Sequence, residues 1–232
     1  MGNLYIVATP IGNLQDISLR AIDVLGSVDF ILCEDTRRTS ILLRSIEKKF
    51  PEFKSPAKLV SYYEENESKR IPEVIDLLKK DFKFALVSDA GTPTISDPGF
   101  KLVRECAKEK IKIEVIPGAS SVIAALAISG LPTDKFTFIG FLPKKAGHRT
   151  DLLNNIKTTL SIVKQTVIFF ESPFRIVALL EELQKIFGDI DIVTARELTK
   201  IYEEIRREKI SEAILHFKKN KPRGEFVILF HL

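Results

Sequence analysis

Five turns built from small or polar residues directly follow apolar, strand-like segments of this sequence. Each segment and its turn together span residues 6–13, 86–93, 115–121, 169–173 and 193–197. Ligands of open α/β sheets lie beyond the carboxyl ends of strands, and small residues let backbone amides approach a ligand closely. Any one of these turns could be ordinary punctuation, but five together predict one ligand in a cleft between two domains.

Charged residues stand beside these turns. Glu34 and Asp35 follow one predicted strand, and Glu197 and Lys200 follow another. Either carboxylate of the first pair can instead be an ion-pair partner for Arg37, and Asp97 has the position of a helix N-cap, which Asp side chains favour. Each charged residue therefore has both a structural and a chemical interpretation at this stage.

Several common catalytic motifs are absent. The sequence lacks GxGxxG, GxxxxGK[ST] and GxSxG, which disfavours a Rossmann dinucleotide site, a P-loop and a hydrolase nucleophile elbow. Its three histidines do not cluster, and Cys33 and Cys106 form no Cys-x-x-Cys pair. We therefore expect no metal and reduced cysteines. With no signal peptide and no apolar run long enough for a bilayer, we expect a cytoplasmic protein without membrane contact.

The positive charge is concentrated in the second half of the chain. The whole chain carries 35 basic and 31 acidic residues, a net charge of +4. All of that excess lies after residue 116, where 17 basic and 13 acidic residues occur. Two clusters stand out, at 144–149 and 218–223. Each is interpretable as a solvated surface or as a contact for a phosphate backbone.

Alternating strand and helix patterns predict an α/β protein with a mostly parallel N-terminal sheet. Strands are predicted at 4–8, 30–33, 58–61, 84–87, 113–116, 136–141, 167–170, 192–195 and 225–232, with another within 200–206. Helices are predicted at 18–25, 40–47, 71–80, 100–109, 120–129, 152–163, 176–187 and 211–218. Short connections near the end predict a mixed second sheet. The polar stretch 142–149 places the expected boundary between an N-terminal α/β domain, 1–141, and a C-terminal α/β domain, 142–232.

Seven motifs in order carry a resemblance that covers nearly the whole chain. They are VATPIGNL from residue 7, CEDTRRT from 33, SDAGTPTISDPG from 88, PGASS from 117, SGLPTDKFTFIGFLPKK from 129, FESPFR from 170 and ARELTKIYEE from 195. Together they resemble the small-subunit ribosomal RNA 2′-O-methyltransferase I family, within the tetrapyrrole methylase-like enzymes that use S-adenosylmethionine. The resemblance implies two α/β domains with the cofactor between them, a homodimer, and methylation of a cytidine ribose in 16S rRNA near the decoding centre.

The resemblance also implies a set of cofactor-binding residues. They are Pro10, Gly12, Asn13, Thr92, Pro93, Ile95, Ser120, Ser121, Phe170, Ala195, Gly224 and Glu225. The sequence departs from the family pattern at Phe170 and Phe174, where tyrosine and histidine are more usual. A hydrogen bond from either side chain is therefore absent here, but we expect the same reaction.

Transfer of a methyl group to a ribose hydroxyl is an in-line displacement, in which alignment of the reactants contributes most. A base or cation near the hydroxyl adds about 10²–10⁴-fold. The candidates are Glu34, Asp35, Glu171, Glu197 and Lys200, and the sequence does not choose among them. The expected RNA contacts are Arg37, Arg38, Lys144, Lys145 and Arg149.

Two alternative functions remain at this stage. One is a related methyltransferase of the same fold that acts on a corrin or porphyrin precursor; the other is a non-catalytic RNA-binding assembly factor. The ATPIGN and SDAGTP motifs and the basic residues at 144–149 favour the ribosomal RNA enzyme over the first of these. We expect 16S rRNA in the small ribosomal subunit as partner, and no DNA.

Overall fold

A computed structural model describes residues 1–232, which form two compact units, 1–120 and 121–232. Each unit contains one five-stranded sheet flanked by helices. The α/β fold class, with a parallel first sheet and a mixed second sheet, is confirmed. None of the eight helices combines the length and apolar character that a bilayer span needs.

The first unit alternates strands and helices along the chain. In order, its elements are β1 (Asn3–Val7), a short 3₁₀ turn (Leu14–Asp16), α1 (Leu19–Leu25), β2 (Phe30–Cys33), α2 (Thr36–Lys49), β3 (Lys58–Ser61), α3 (Glu67–Lys79), β4 (Phe84–Val87), α4 (Phe100–Lys108) and β5 (Lys112–Ile116). The strand order is β3-β2-β4-β1-β5, and every neighbouring pair is parallel. All five carboxyl ends therefore lie at one edge of the sheet.

The connections from β1 and β4 leave the sheet on opposite faces. Helix α1, which follows β1, packs with α2 against one face through Leu25 and Leu42. Helix α4, which follows β4, packs with α3 against the other face through Leu78 and Leu102. Because β1 and β4 are neighbours, the chain diverges between their carboxyl ends. Such a divergence opens a crevice, which is where ligands of open α/β sheets bind.

The second unit has a mixed sheet. Its elements are α5 (Ser121–Ser129), β6 (Phe136–Phe141), α6 (Ala146–Ile162), β7 (Thr166–Glu171), α7 (Ile176–Phe187), β8 (Asp191–Arg196), β9 (Glu204–Lys209), α8 (Ile210–Lys219) and β10 (Phe226–His231). In the strand order β6-β7-β10-β8-β9, only the β6–β7 pair is parallel. Strands β6, β7 and β8 consequently share a direction, and their carboxyl ends share an edge with the start of β10.

The unit boundary lies earlier than the sequence predicts. The expected division was 1–141 and 142–232, whereas the units divide after Ser120. Strand β6 pairs with β7 and so belongs to the second sheet. Arg207 on β9 donates to the backbone oxygens of Ile128 and Ser129, which ties the end of α5 to the same unit. These pairings are distant in sequence and leave no local signal.

Two helix starts also differ from expectation. Helix α6 begins at Ala146 and not near 152, because Arg149 in its first turn is held by Glu182 of α7. Helix α3 begins at Glu67, which places Pro72 beyond the first turn. The buried Glu67 carboxylate accepts hydrogen bonds from the Tyr62 hydroxyl and the Gly99 amide, which anchors that start.

Both cysteines are completely buried and unpaired. Burial raises the pKa of Cys33, and it raises the pKa of Cys106 to about 12. Because the thiolate is the reactive form, we expect neither thiol to react with Ellman's reagent in the native protein at mildly alkaline pH. Both should titrate once guanidinium unfolds the chain. Rapid reaction of one native thiol would show that its burial is wrong.

Candidate active site

Three of the five predicted turns meet at one edge of the first sheet. Thr9 and Gly91 exchange two backbone hydrogen bonds of 2.9 and 3.0 Å, which join the chain beyond β1 to the chain beyond β4. The Thr9 hydroxyl also donates to the Ser88 oxygen at 3.0 Å. The Thr92 hydroxyl donates to the Ala119 oxygen at 3.1 Å, which adds the turn after β5. The sequence prediction that these turns converge is correct within the first unit.

The backbone is strained in two of the loops that the sequence singled out. The non-glycine residues with positive φ are Asp81, Thr94, Ser96, Lys110, Glu197 and Thr199. The first and fourth follow helix ends, where a left-handed residue is common. The other four lie in the loops 88–99 and 197–203. A β-branched residue such as Thr94 at φ 73° is a genuine outlier, and each such residue costs about 1–3 kcal/mol. Strain concentrated in this way is typical of functional loops.

The surface formed by the three joined turns is electrically neutral. Residues 8–13, 90–96 and 117–120 contain no charged side chain. Ile95 is exposed there, and Pro10, Ile11 and Pro93 are buried beneath the surface. The available groups are backbone amides and carbonyls, threonine and serine hydroxyls, and one apolar side chain. They suit a neutral or zwitterionic ligand better than a polyphosphate.

A polar cavity of about 570 Å³ adjoins these turns at the carboxyl ends of β2, β3 and β4. Its lining includes Glu34, Asp35, Arg37, Tyr63, Asp89 and Asp97. Asp35 caps α2 by accepting from the Arg37 amide, and it accepts from the Arg37 guanidinium at 2.7 and 3.0 Å. Hydrogen bonds from Arg37 lower the pKa of Asp35 to about 2. Asp35 is therefore held in an ion pair with Arg37, which is the structural interpretation that the sequence offered for this residue.

Asp89 is the carboxylate that the sequence analysis did not select. It lies two residues after the end of β4 and two residues before Gly91, and its Oδ1 accepts from the Asp35 amide at 3.3 Å. Burial raises its pKa, although Arg38, at 3.4 Å, opposes that shift. A half-buried carboxylate with a raised pKa is a candidate base. Its place in the SDAGTP motif was the available signal.

Glu171, at the end of β7, is fully buried. It accepts from the Ser172 amide at 2.7 Å and pairs with Arg175 at 3.0 Å. Arg175 also donates to the Leu142 oxygen, which joins the turn after β7 to the turn after β6. Burial raises the pKa of Glu171. A carboxylate enclosed in this way holds the loop, and its contacts leave it no route to a substrate hydroxyl.

Glu197 and Lys200 form an ion pair of 2.9 Å in the loop after β8. Glu197 has φ 50°, and its side chain lies against Gly224, where an added Cβ would collide with it. Gly224 itself has φ 77°. The turn before β10 and the loop after β8 thus fit together only because residue 224 lacks a side chain.

The comparison with known families decides the classification. The family model for tetrapyrrole (corrin/porphyrin) methylases matches residues 3–214. The chain belongs to the tetrapyrrole methylase family.

The names of individual relatives of the methylase are consistent with this family. The methylase is 47% identical over 229 residues to the ribosomal RNA small subunit methyltransferase I of Thermotoga maritima, covering 99% of this chain and 98% of that protein. It is 48% identical over 229 residues to the protein of the same name from Hydrogenobaculum sp., covering 97% and 94%. The resemblance carried by the seven motifs is confirmed.

Solved structures share the fold of the methylase at lower identity. A cobalt precorrin-4 methyltransferase matches with TM-score 0.67 and 19% identity, covering 98% of this chain and 93% of that one. A Thermus thermophilus uroporphyrin-III C-methyl transferase complexed with S-adenyl homocysteine matches with TM-score 0.65 and 17% identity, covering 98% and 97%. These similarities show that the architecture is that of the family.

The predicted cofactor residues of the methylase are divided between the two units, and more of them lie in the first. Pro10, Gly12, Asn13, Thr92, Pro93, Ile95 and Ser120 lie in the joined turns of the first unit or next to them. Ser121 begins α5. Ala195 is buried in β8, and Glu225 directly precedes β10. The centroid of the Phe170 ring lies 4.9 Å from that of Phe138 and 5.4 Å from that of Phe141, so this side chain packs among apolar rings.

The residues of the methylase that are predicted to contact RNA differ in exposure. Lys144 and Lys145 are exposed, as are Arg37 and Arg38. Arg149 differs, because its side chain is only 16% exposed and its Nε lies 2.5 Å from Glu182 Oε2. Its Nη1 donates to the backbone oxygens of residues 143 and 144. The expectation that Arg149 contacts RNA is therefore not supported; it ties α6 to α7.

Arg149→Ala should lower the free energy of unfolding by about 3 kcal/mol, because it leaves the shielded Glu182 carboxylate without its cationic partner and with only the Thr150 hydroxyl as donor. Lys145→Ala is the matched control and should change that free energy by less than about 0.5 kcal/mol, since the side chain is exposed. Urea denaturation measures both. Equal midpoints for the two variants would contradict the structural role of Arg149.

Proposed function

We propose that this methylase transfers the methyl group of S-adenosylmethionine to the ribose 2′-hydroxyl of a cytidine in 16S rRNA, near the decoding centre. The observation that carries the proposal is the 47% identity, over 99% of the chain, to a ribosomal RNA small subunit methyltransferase I. The choice of the 2′-hydroxyl of a cytidine rests on the seven motifs. The relatives that these motifs resemble also lead us to propose a homodimer.

The neutral turns fit the proposed cofactor. S-adenosylmethionine combines a zwitterionic amino acid, a sulfonium and an uncharged adenine, and it has no phosphate. Backbone groups around Gly91 and Gly12 can hydrogen-bond the amino acid and the adenine edge, and Ile95 offers an apolar surface for the ring. Asp89 adds a negative charge close to these turns, which suits a ligand that carries a sulfonium. A related uroporphyrin-III C-methyl transferase was solved with S-adenyl homocysteine.

When bound, S-adenosylmethionine supplies an electrophilic methyl group, which forms a bond to the ribose oxygen as its bond to sulfur breaks. The protein has to align the hydroxyl and to accept its proton. Alignment is worth about 7–11 kcal/mol in well-oriented systems. Among the carboxylates at the cavity, we assign the proton-accepting role to Asp89, since burial raises its pKa, whereas Asp35 is held by Arg37.

The proposed substrate fits the charge of the exposed cations. Lys144 and Lys145 lie between β6 and α6, and Arg37 and Arg38 lie in the first turn of α2. Each lysine bound to phosphate on a single strand contributes about −0.7 to the log–log salt slope of affinity. Changing both lysines to alanine should flatten the slope by about 1.4. An unchanged slope in a titration of RNA against potassium chloride would remove these lysines from the interface.

The experiment is methyl transfer from tritiated S-adenosylmethionine to small ribosomal subunits that lack the modification. We expect label in 16S rRNA, and none in uroporphyrinogen III offered as the competing substrate class. A ribose 2′-O-methyl group protects the adjacent phosphodiester from alkali, because the attacking hydroxyl is gone. Label recovered in an alkali-resistant dinucleotide whose first residue is cytidine supports the proposal. Label in a base or in the porphyrinogen, or no label at all, rejects it.

A further inference from the structure

One edge of the second sheet displays large apolar side chains in water. This edge carries the loops that follow β6, β7 and β8 and the turn that precedes β10. Phe174 is 92% exposed, Ile201 is 93% exposed and Tyr202 is 76% exposed. Single exposed apolar residues are ordinary, but these three share one edge. They also lie in loops that the sequence singled out for their turns.

The loop that carries Phe174 is held firmly beneath it. Arg175 pairs with the buried Glu171 at 3.0 Å and donates to the Leu142 oxygen at 2.9 Å. The Arg175 amide also donates to the Ser172 oxygen, which closes the turn. The exposed ring is therefore presented from a fixed backbone, so little conformational entropy is lost when a ligand contacts it.

The loop that carries Tyr202 is braced as well. The Glu203 carboxylate accepts from the Thr199 amide at 2.6 Å. The Lys200 amide donates to the Glu197 oxygen, and the Glu203 amide donates to the Lys200 oxygen. Arg196, at the base of the loop, pairs with Glu204 at 2.5 Å. Hydrogen bonds before and after Tyr202, together with the Arg196–Glu204 ion pair, therefore hold the backbone of this loop.

Cations without an ion-pair partner lie at the same edge of the second sheet. They are Lys144 and Lys145 after β6 and Lys219, Lys221 and Arg223 before β10, all exposed. A rigid aromatic side chain amid unpaired cations matches the way in which proteins bind single-stranded nucleic acid: cations hold the backbone, and rings stack on bases.

We propose that Phe174 and Tyr202 stack on unpaired bases of the RNA substrate and so position the target strand. The inference rests on the proposed function, since it concerns how the same RNA is held. A second copy of the chain is the competing occupant. A two-fold interface would place this patch against itself. Its exposed cations outnumber its exposed carboxylates, Glu203 and Glu225, so an excess of positive charge would face the same excess, and like charges across an interface are costly. The charge of the edge favours a polyanion.

The test is binding of a short, unstructured, fluorescein-labelled RNA, followed by anisotropy at fixed salt. Phe174→Ala and Tyr202→Ala should each weaken binding about 5- to 150-fold, the range for loss of one stacked base. Phe174→Trp should restore binding, because any aromatic face can stack. Leu215→Ala, which removes an exposed apolar side chain from the middle of α8, is the matched control and should bind like wild type.

The salt dependence separates stacking from charge. Phe174→Ala should leave the salt slope unchanged, whereas the Lys144→Ala, Lys145→Ala double variant flattens it. Affinity for S-adenosylmethionine should stay at the wild-type value in Phe174→Ala, and KM for the ribosomal subunit should rise. Wild-type RNA affinity in both alanine variants would overturn the inference. So would a dimer that dissociates in Phe174→Ala, since that outcome assigns the ring to a second copy. Failure of the wild type to methylate rRNA would instead reject the proposed function.

Discussion

Replacement of Gly91 by valine should weaken binding of S-adenosylmethionine about a hundredfold. Gly91 has φ 87°, and an added Cβ would lie 3.3 Å from Ile11 Cγ2 before the two methyl groups of valine are placed. The left-handed backbone costs an ordinary residue about 1–2 kcal/mol, and overpacking adds about 1–3 kcal/mol. The turn has to shift to relieve this, and its paired hydrogen bonds with Thr9 carry the shift into the neighbouring loop.

Isothermal titration calorimetry with S-adenosylmethionine measures the loss, and circular dichroism shows that the variant is folded. Gly130→Val is the matched control. Gly130 has nearly the same positive φ, 78°, yet an added Cβ meets no atom within 4 Å. It should lose some stability but keep its affinity. Equal affinity in wild type and Gly91→Val would remove the joined turns from the cofactor site.

The turns were predictable because their signals are local. Glycine, proline and threonine beside short apolar segments mark the ends of strands, and parallel strands bring those ends to one edge. The sequence does not indicate which of these turns contact one another. The structure shows one such contact, the pairing of Thr9 with Gly91. The left-handed conformation of Thr94 has no sequence signal, because threonine rarely adopts it.

The errors concern partners that are distant in sequence. Residues 142–149 have the composition of a linker, but Arg149 meets Glu182, 33 residues away, and the stretch becomes the first turn of a helix. The sequence pattern places strand β6 at the end of the first domain, whereas its hydrogen bonds go to β7. Charge and turn propensity describe a segment by itself. Burial depends on what packs against it, so the boundary and the role of Arg149 required the structure.

Asp89 was missed for the same reason. An aspartate after a strand is usually a turn residue, and nothing nearby in sequence marks it as half-buried. Its burial and its raised pKa depend on the start of α2, where the Asp35 amide and Arg38 approach it from more than fifty residues away. The sequence therefore selected the neighbouring strand's Glu34 and Asp35 but passed over the carboxylate between Ser88 and Ala90.

Asp89→Asn should lower kcat for rRNA methylation about 10²- to 10⁴-fold, the usual contribution of a positioned base. The amide keeps the size of the side chain and can still accept from the Asp35 amide, so the fold should be retained. Because the negative charge near the sulfonium is lost, kcat is measured at saturating S-adenosylmethionine. Asp35→Asn is the informative comparison, because it loses the Arg37 ion pair at the start of α2 but leaves the proposed base intact. Its kcat should fall far less.

The pH profile tests the assignment independently. A base works only when ionised, and burial raises the pKa of Asp89, so kcat should fall on acidification at a pH above the ordinary aspartate value. Arg38 opposes that shift, and Arg38→Met should therefore move the acid limb to higher pH at saturating RNA. Asp35, with its pKa at about 2, stays ionised throughout this range and adds no limb. An acid limb that persists unchanged in Asp89→Asn, or that fails to move in Arg38→Met, would assign proton transfer to another group.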